Sequence, residues 1–185
     1  MKKIFIILSI IILSMSTTIA QNRNSLRIGV NGAFWGSGDA IGKVIYGEYE
    51  RTLNSYFSVV PRMSIGYANE QLEWYSSLLS SYTASLSLRA TPFQASELSR
   101  LKLDAGLLYQ STVKLGINYS SHPSINIVGV DDDIYNLFGF LFGLNINIIQ
   151  TERHVLGVRG EMLTNIDGGF HCDGLQFGVY YGVRF

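Results

Sequence analysis

The sequence predicts an all-β fold, an eight-stranded antiparallel up-and-down transmembrane β-barrel, on three observations. Apolar and polar residues alternate with a period of two in eight successive segments, which places the two sets on opposite faces of a strand where a helix would mix them. The connections between segments are long after odd-numbered strands and short after even-numbered ones. Only 15% of the 185 residues are charged, well below the roughly 25% usual in soluble domains.

The first twenty residues read as an address. Lys2 and Lys3 form a basic start, Ile4 to Leu13 an apolar run interrupted only by Ser9, and Thr18-Ile19-Ala20 a small-residue cleavage site. The run is too short for a membrane helix, which needs about 20 apolar residues. Residues 1–20 are therefore expected to be a cleaved signal peptide and 21–185 the barrel domain. No cysteine follows the leader, so a lipoprotein signal is not expected. Cys172 is the only cysteine, which excludes an intramolecular disulfide.

The strands follow in order. Leu26, Ile28, Val30 and Phe34 oppose Arg27, Gly29, Asn31 and Ala33. Ile45, Tyr49 and Leu53 oppose Tyr46, Glu48, Glu50 and Thr52, with Arg51 out of pattern. Phe57, Val59, Pro61, Met63, Ile65 and Tyr67 oppose Ser58, Val60, Arg62, Ser64 and Gly66. Tyr82, Ala84, Leu86 and Leu88 oppose Thr83, Ser85, Ser87 and Arg89. Leu101, Leu103, Ala105, Leu107 and Tyr109 oppose Lys102, Asp104, Gly106, Leu108 and Gln110. Phe138, Phe140, Phe142, Leu144, Ile146 and Ile148 oppose Gly139, Leu141, Gly143, Asn145 and Asn147. Leu156, Val158 and Met162 oppose Gly157, Arg159, Glu161 and Leu163. Leu175, Phe177, Val179, Tyr181, Val183 and Phe185 oppose Gln176, Gly178, Tyr180, Gly182 and Arg184. Each strand is expected to run roughly 11 to 14 residues, about what a tilted membrane-spanning strand needs.

Long connections are read at Gly36–Gly42, Ala68–Leu79, Lys114–Tyr135 and Asn165–Gly174, and short ones at Asn54-Ser55, Pro92–Arg100 and Gln150–Arg153. Long on one side and short on the other is the pattern of outer-membrane barrels, with loops outside and turns in the periplasm. An even strand count then puts both termini in the periplasm.

Alternation does not say which face meets water. Glycines crowd the polar set, at Gly29, Gly66, Gly106, Gly139, Gly143, Gly157, Gly178 and Gly182. They make sense inside an eight-stranded barrel, whose interior is just wide enough for side chains. The polar set also carries charges of both signs: Arg27, Arg62, Arg89, Lys102, Arg159 and Arg184 against Glu48, Glu50, Asp104 and Glu161. Facing lipid near the midplane, each base would cost about 2–4 kcal/mol. The ten are expected to form an ion network in the lumen. Trp35, Tyr67, Tyr82 and Tyr109 at one level, and Tyr56, Phe57, Phe93 and Phe185 at the other, are read as interfacial aromatic girdles.

The leader, the eight strands and the closing run from Phe177 to Phe185 resemble the small OmpA/OmpX-type outer-membrane barrels, over essentially the whole mature chain. The resemblance implies a Gram-negative outer-membrane location amid lipid and lipopolysaccharide. It also implies that Tyr181, Val183 and Phe185 act as the signal read by the barrel assembly machinery. From the mature length, an appended peptidoglycan-binding domain is not expected.

Chemistry is thin. Lipid A deacylases among such barrels use a His-x-Ser pair, and His122-Pro123-Ser124 has that spacing, with Asn126 and Asp131–Asp133 beyond. The pair falls in the longest loop and is divided by a proline, so a polar loop is the preferred reading and the chain is not expected to be an enzyme. Asp131–Asp133 reads as a solvated acidic run, and His154 and His171 are isolated. No catalytic residue, metal or cofactor is expected. Nucleic acid is not expected as a partner, because Lys+Arg 14 only balances Asp+Glu 14. A wide pore needs about 16 strands, which leaves a small, low-conductance pore as an alternative. The sequence thus favours a structural or interaction role with a plugged lumen and external loops, loop 114–135 above all, contacting a ligand.

Overall fold

Eight strands close into one barrel. The computed structural model describes residues 24–35, 40–72, 75–93, 100–119, 127–166 and 171–185; the leader at 1–20 and the His122, Ser124 and Asn126 positions lie outside them. The strands are β1 (Ser25–Trp35), β2 (Ala40–Thr52), β3 (Phe57–Leu72), β4 (Tyr75–Ala90), β5 (Leu101–Tyr119), β6 (Ile127–Gln150), β7 (His154–Asn165) and β8 (His171–Arg184). Each pairs antiparallel with its sequence neighbours, and β1 joins β8 from Ser25↔Arg184 to Trp35↔Gly174. Asn24 and Phe185 exchange both backbone hydrogen bonds, at 3.1 and 3.0 Å. Both ends of the described chain therefore lie at one mouth of the barrel, called here the terminal end.

The predicted alternation is the burial pattern. Along β1 every odd residue from Ser25 to Ala33 is buried and every even one from Leu26 to Phe34 is exposed. The sense is inverted relative to a water-soluble barrel: Arg27 and Arg89 are 2% and 0% exposed, while Met63 is 76% exposed. At the terminal end the β2–β3 and β6–β7 turns are tight. The Asn54 side-chain oxygen accepts from Tyr56 N and Phe57 N at 2.8 and 2.9 Å, the Asx-turn geometry that makes asparagine a turn residue. Pro61, which has no N–H to donate, sits where the β2–β3 register lapses between Glu48↔Arg62 and Arg51↔Val59.

At the far end the structure corrects the boundaries. The expected loop Ala68–Leu79 is largely strand, since β3 and β4 pair from Ala68↔Leu79 out to Leu72↔Tyr75. The expected loop Lys114–Tyr135 is likewise mostly a hairpin, paired from Lys114↔Asp133 out to Tyr119↔Ile127. Strands β5 and β6 thus reach 19 and 24 residues. Asp131–Asp133 is strand backbone opposite Gly116, Leu115 and Lys114. Above the apolar belt neither face of a strand must be apolar, so the period of two fades and extended segments look like loops.

Trp35 is a second correction. It has the odd parity of the buried β1 set and does not join an outer girdle. Its ring lies over Gly42 and Gly66, so closely that a Cβ on either glycine would overlap it. Tyr67, Tyr82 and Tyr109 are exposed at the far level, and Tyr56, Phe57, Phe93 and Phe185 at the terminal level.

Candidate functional site: the lumen and the far-end hairpins

The lumen is built in layers by the inward parity of each strand. The layer nearer the terminal end is ionic. Arg89 of β4 grips Asp104 of β5 with two bonds of 2.7 Å, Nε to Oδ1 and Nη2 to Oδ2. Its Nη1 donates to Glu48 at 2.9 Å and Glu50 at 3.1 Å. Glu48 also accepts from Arg159 Nη2 at 2.6 Å and Arg62 Nε at 3.2 Å, and Arg27 stands 3.5 Å away. Lys102 donates to Glu50 at 2.7 Å. Arg27 pairs with Glu50, and Arg62 with Glu161.

These nine side chains are all buried. Bidentate and charge-assisted pairing is the arrangement in which buried charges are tolerated, because their lost hydration is replaced by fixed partners. Arg184 does not share this environment: it is partly exposed at the terminal-end rim, with Nη1 3.4 Å from the Thr151 carbonyl. Its parity is inward, but at the last position of β8 the lumen opens to solvent.

Four uncharged luminal residues, Tyr46, Tyr180, Asn145 and Asn147, tie into the ionic layer. Tyr46 carries the Arg159 and Arg62 guanidinium carbons at 4.8 and 5.4 Å from its ring centre, and Tyr180 carries Arg27 at 5.1 Å, cation–π distances. The Tyr180 hydroxyl donates to Asn147 at 2.6 Å, and Arg159 Nε to Asn145 at 2.6 Å. Their membership of the polar set was the available signal. Tyr46 and Tyr180 are seated over Gly29 and Gly157, where a Cβ would overlap either ring.

Outward of the ions, Leu108, Leu141 and Leu163 form one buried apolar cluster, with the buried polar pairs Asn31–Gln176 and Gln110–Thr112 also in the lumen. Trp35 lies above. Among the described residues, no group of three or more His, Cys, Asp and Glu is arranged to hold a metal ion. The inward groups engage one another, and the Ser25 hydroxyl too donates to Glu50, at 3.4 Å. The arrangement is a brace across the barrel. Tyr181, Val183 and Phe185 point outward, all exposed, and Tyr181 meets the His154 ring nitrogen at 2.7 Å.

The segments toward the far end are rich in acidic residues. In the segments at or beyond the far strand ends (36–43, 68–82, 110–138 and 163–176) the sequence has eight Asp and Glu against two Lys and Arg. The far end is acidic.

No protein-family model matches this chain, and no curated protein matches it. Solved structures do. Ail, the attachment invasion locus protein of Yersinia pestis, in complex with the heparin analogue sucrose octasulfate, superposes with a TM-score of 0.60 at 11% identity, over 90% of this chain and 100% of that one. A major outer membrane protein from Thermus thermophilus gives 0.55 at 12% identity, over 90% and 100%. Neisserial surface protein A gives 0.54 at 11%, over 90% and 98%. At such identities the likeness is one of fold, and the fold is that of the small OmpA/OmpX-like eight-stranded outer-membrane β-barrels.

Proposed function

We propose that this chain is an integral outer-membrane protein, exported through a cleaved leader at residues 1–20, whose barrel domain at 21–185 is a rigid anchor for recognition at its far end. The observation that carries the reading is the inside-out distribution of side chains, with nine charges buried and a continuous apolar exterior. Only a solvent of hydrocarbon makes that arrangement favourable, since a buried charge needs partners and an exposed apolar belt of this extent is rare in water. The luminal ions and the Leu108 cluster act as a plug and brace. The far-end hairpins, held by that frame, are where specificity resides, and residues 114–135 extend furthest. In this reading Tyr181, Val183 and Phe185 guide assembly by the barrel machinery, and outer-membrane lipid with lipopolysaccharide surrounds the belt.

The Yersinia neighbour is described with a sulfated sugar. The acidic far end of this chain argues against transferring a polyanionic ligand to it, because like charges repel across a binding surface. Recognition is favoured over conduction because the inward side chains occupy the lumen from Lys102 to Trp35.

The test is fractionation of cells producing the protein, followed by gel migration with and without heating. A membrane-extracted product whose mobility changes on heating supports the reading. A product recovered wholly in the soluble periplasmic fraction refutes it.

A further inference from the structure

The luminal glycines have reasons within the chain. A Cβ on Gly29 or Gly157 would overlap a tyrosine ring, and one on Gly106 would strike the β4 backbone. Gly47 has no such reason. It points outward from β2, between the buried Tyr46 and Glu48, and a Cβ there would meet nothing within 4 Å among the described residues. Its backbone is plain strand, paired in register with Ile28 on one side and Met63 on the other. Glycine inside a strand gives up packing and conformational entropy, and its usual grounds are a bulge, a bend or the close approach of another body. With neither bulge nor bend here, the body that Gly47 makes room for lies outside the chain. Fluid lipid tails fit any exterior and need no missing side chain. A rigid neighbour does.

Beside the vacancy stands a knob. Met63, the register partner of Gly47, is 76% exposed. With Ile28, Ile45, Ala84 and Tyr109 the two line an apolar recess of about 480 Å³ on the outside of the barrel. Copies in one membrane share orientation and depth, so a twofold axis along the membrane normal, between β2 and β3, exchanges the two sides of this face. It sets each Met63 opposite the other copy's Gly47. Strands tilted by about 35–45° leave register partners about 3 Å apart in depth, which the flexible methionine side chain spans. The same axis sets each Lys43 opposite the other copy's Tyr67, because these too are register partners, both exposed. A cation on an aromatic ring is a complementary contact, and the cation is not set against its own image. We propose that the β2–β3 exterior is the contact face of a symmetric dimer within the membrane, Met63 of each copy seated over Gly47 of the other. Close packing at small residues is what joins protein surfaces in lipid, where burial from water contributes nothing. The inference rests on the outer-membrane reading for the shared orientation of the copies.

Two chains are produced together in one cell, one with Gly47→Cys and the other with Met63→Cys, both with Cys172→Ser so that no other thiol is present. Their pair keeps one native contact, Met63 of the first against Gly47 of the second. Oxidation of the membrane fraction should cross-link them at least about fivefold more than Leu103→Cys with Leu144→Cys, an exposed register pair on β5 and β6 that serves as the control. Gly47→Trp fills the vacancy without touching its own barrel. The heat-dependent gel shift should persist, while the dimer fraction counted by single-molecule photobleaching in phosphatidylcholine vesicles falls at least about fivefold. An undiminished dimer fraction in that variant would overturn the seat over Gly47; should the variant not fold, the cross-linking pair decides. Inserted, heat-shifted chains that cross-link no better than the control would overturn the dimer alone and leave lipid as the cover of this face. Chains absent from the membrane fraction would refute the outer-membrane reading and the dimer with it.

Discussion

Glu48 and Arg159 meet at 2.6 Å although they stand on β2 and β7, which are not neighbours in the barrel. The contact crosses the lumen. Glu48 also engages Arg62 and Arg89, from β3 and β4, so one carboxylate ties four strands that backbone hydrogen bonds link only pairwise. Its position explains how a barrel without a hydrocarbon centre resists collapse or shear.

Removing that charge should be costly. Glu48→Gln keeps the volume but leaves several buried guanidinium groups short of a counter-charge, and breaking a buried pair from one side costs about 3–5 kcal/mol. Urea unfolding in detergent micelles, followed by the heat-dependent gel shift, should show a loss of that order. A loss within about 0.5 kcal/mol, the range of ordinary surface changes, would mean that Glu48 is dispensable to the brace.

The glycines provide a contrast between the two faces of one strand pair. A Cβ on Gly29 would overlap the Tyr46 ring, whereas a Cβ on Gly47, on β2 and facing outward, would meet nothing within 4 Å. Gly29→Ala should therefore destabilise by about 1–3 kcal/mol, the usual range for overpacking, and Gly47→Ala should be neutral or slightly stabilising. Chemical denaturation of the two variants side by side checks this. Similar losses in both would place the Tyr46 ring elsewhere than over Gly29.

Opening the ionic layer should reveal whether it closes the barrel to ions. Arg89 bridges Asp104, Glu48 and Glu50 and is completely buried. The paired change Arg89→Ser with Asp104→Ser removes opposite charges together, so no lone buried charge is left behind. Planar-bilayer recording should stay near silence for the parent, and the double variant should show small conductance steps only if the Leu108, Leu141 and Leu163 layer does not seal by itself. Large, steady conductance in the parent would refute a plugged lumen.

Much of this was legible in the sequence wherever the bilayer level imposes a two-sided environment. Val179, Tyr180 and Tyr181 show why: the neighbours differ in face, and apolar outside against polar inside leaves a period of two. Arg27, Glu48, Glu50, Arg62, Arg89, Lys102, Asp104, Arg159 and Glu161 are recognisable as inward by parity alone, and they are buried. Which carboxylate meets which guanidinium is not legible, because it depends on strand stagger and cross-barrel distance. Trp35 misleads because its level suits a girdle while its parity points inward. The Asp131–Asp133 run misleads because consecutive charges are incompatible with a strand in lipid but not with one in water.

The sharpest separation of a lipid-facing exterior from a water-facing one comes from Met63. It is 76% exposed, and its neighbour Arg62 is 6% exposed, so the two test opposite faces of β3 at the same level. In a barrel bathed by water, Met63→Arg would be nearly neutral, as most surface substitutions are. In a bilayer near its midplane the same change should cost about 2–4 kcal/mol. Lys43, also outward but near the far end of β2, provides the depth control: Lys43→Arg should change little in either setting. Unfolding measured in lipid vesicles should show the Met63→Arg penalty clearly. A neutral result there, with the barrel correctly inserted, would place Met63 at an interface or in water and would overturn the assignment of the β1–β3 exterior to the hydrocarbon core.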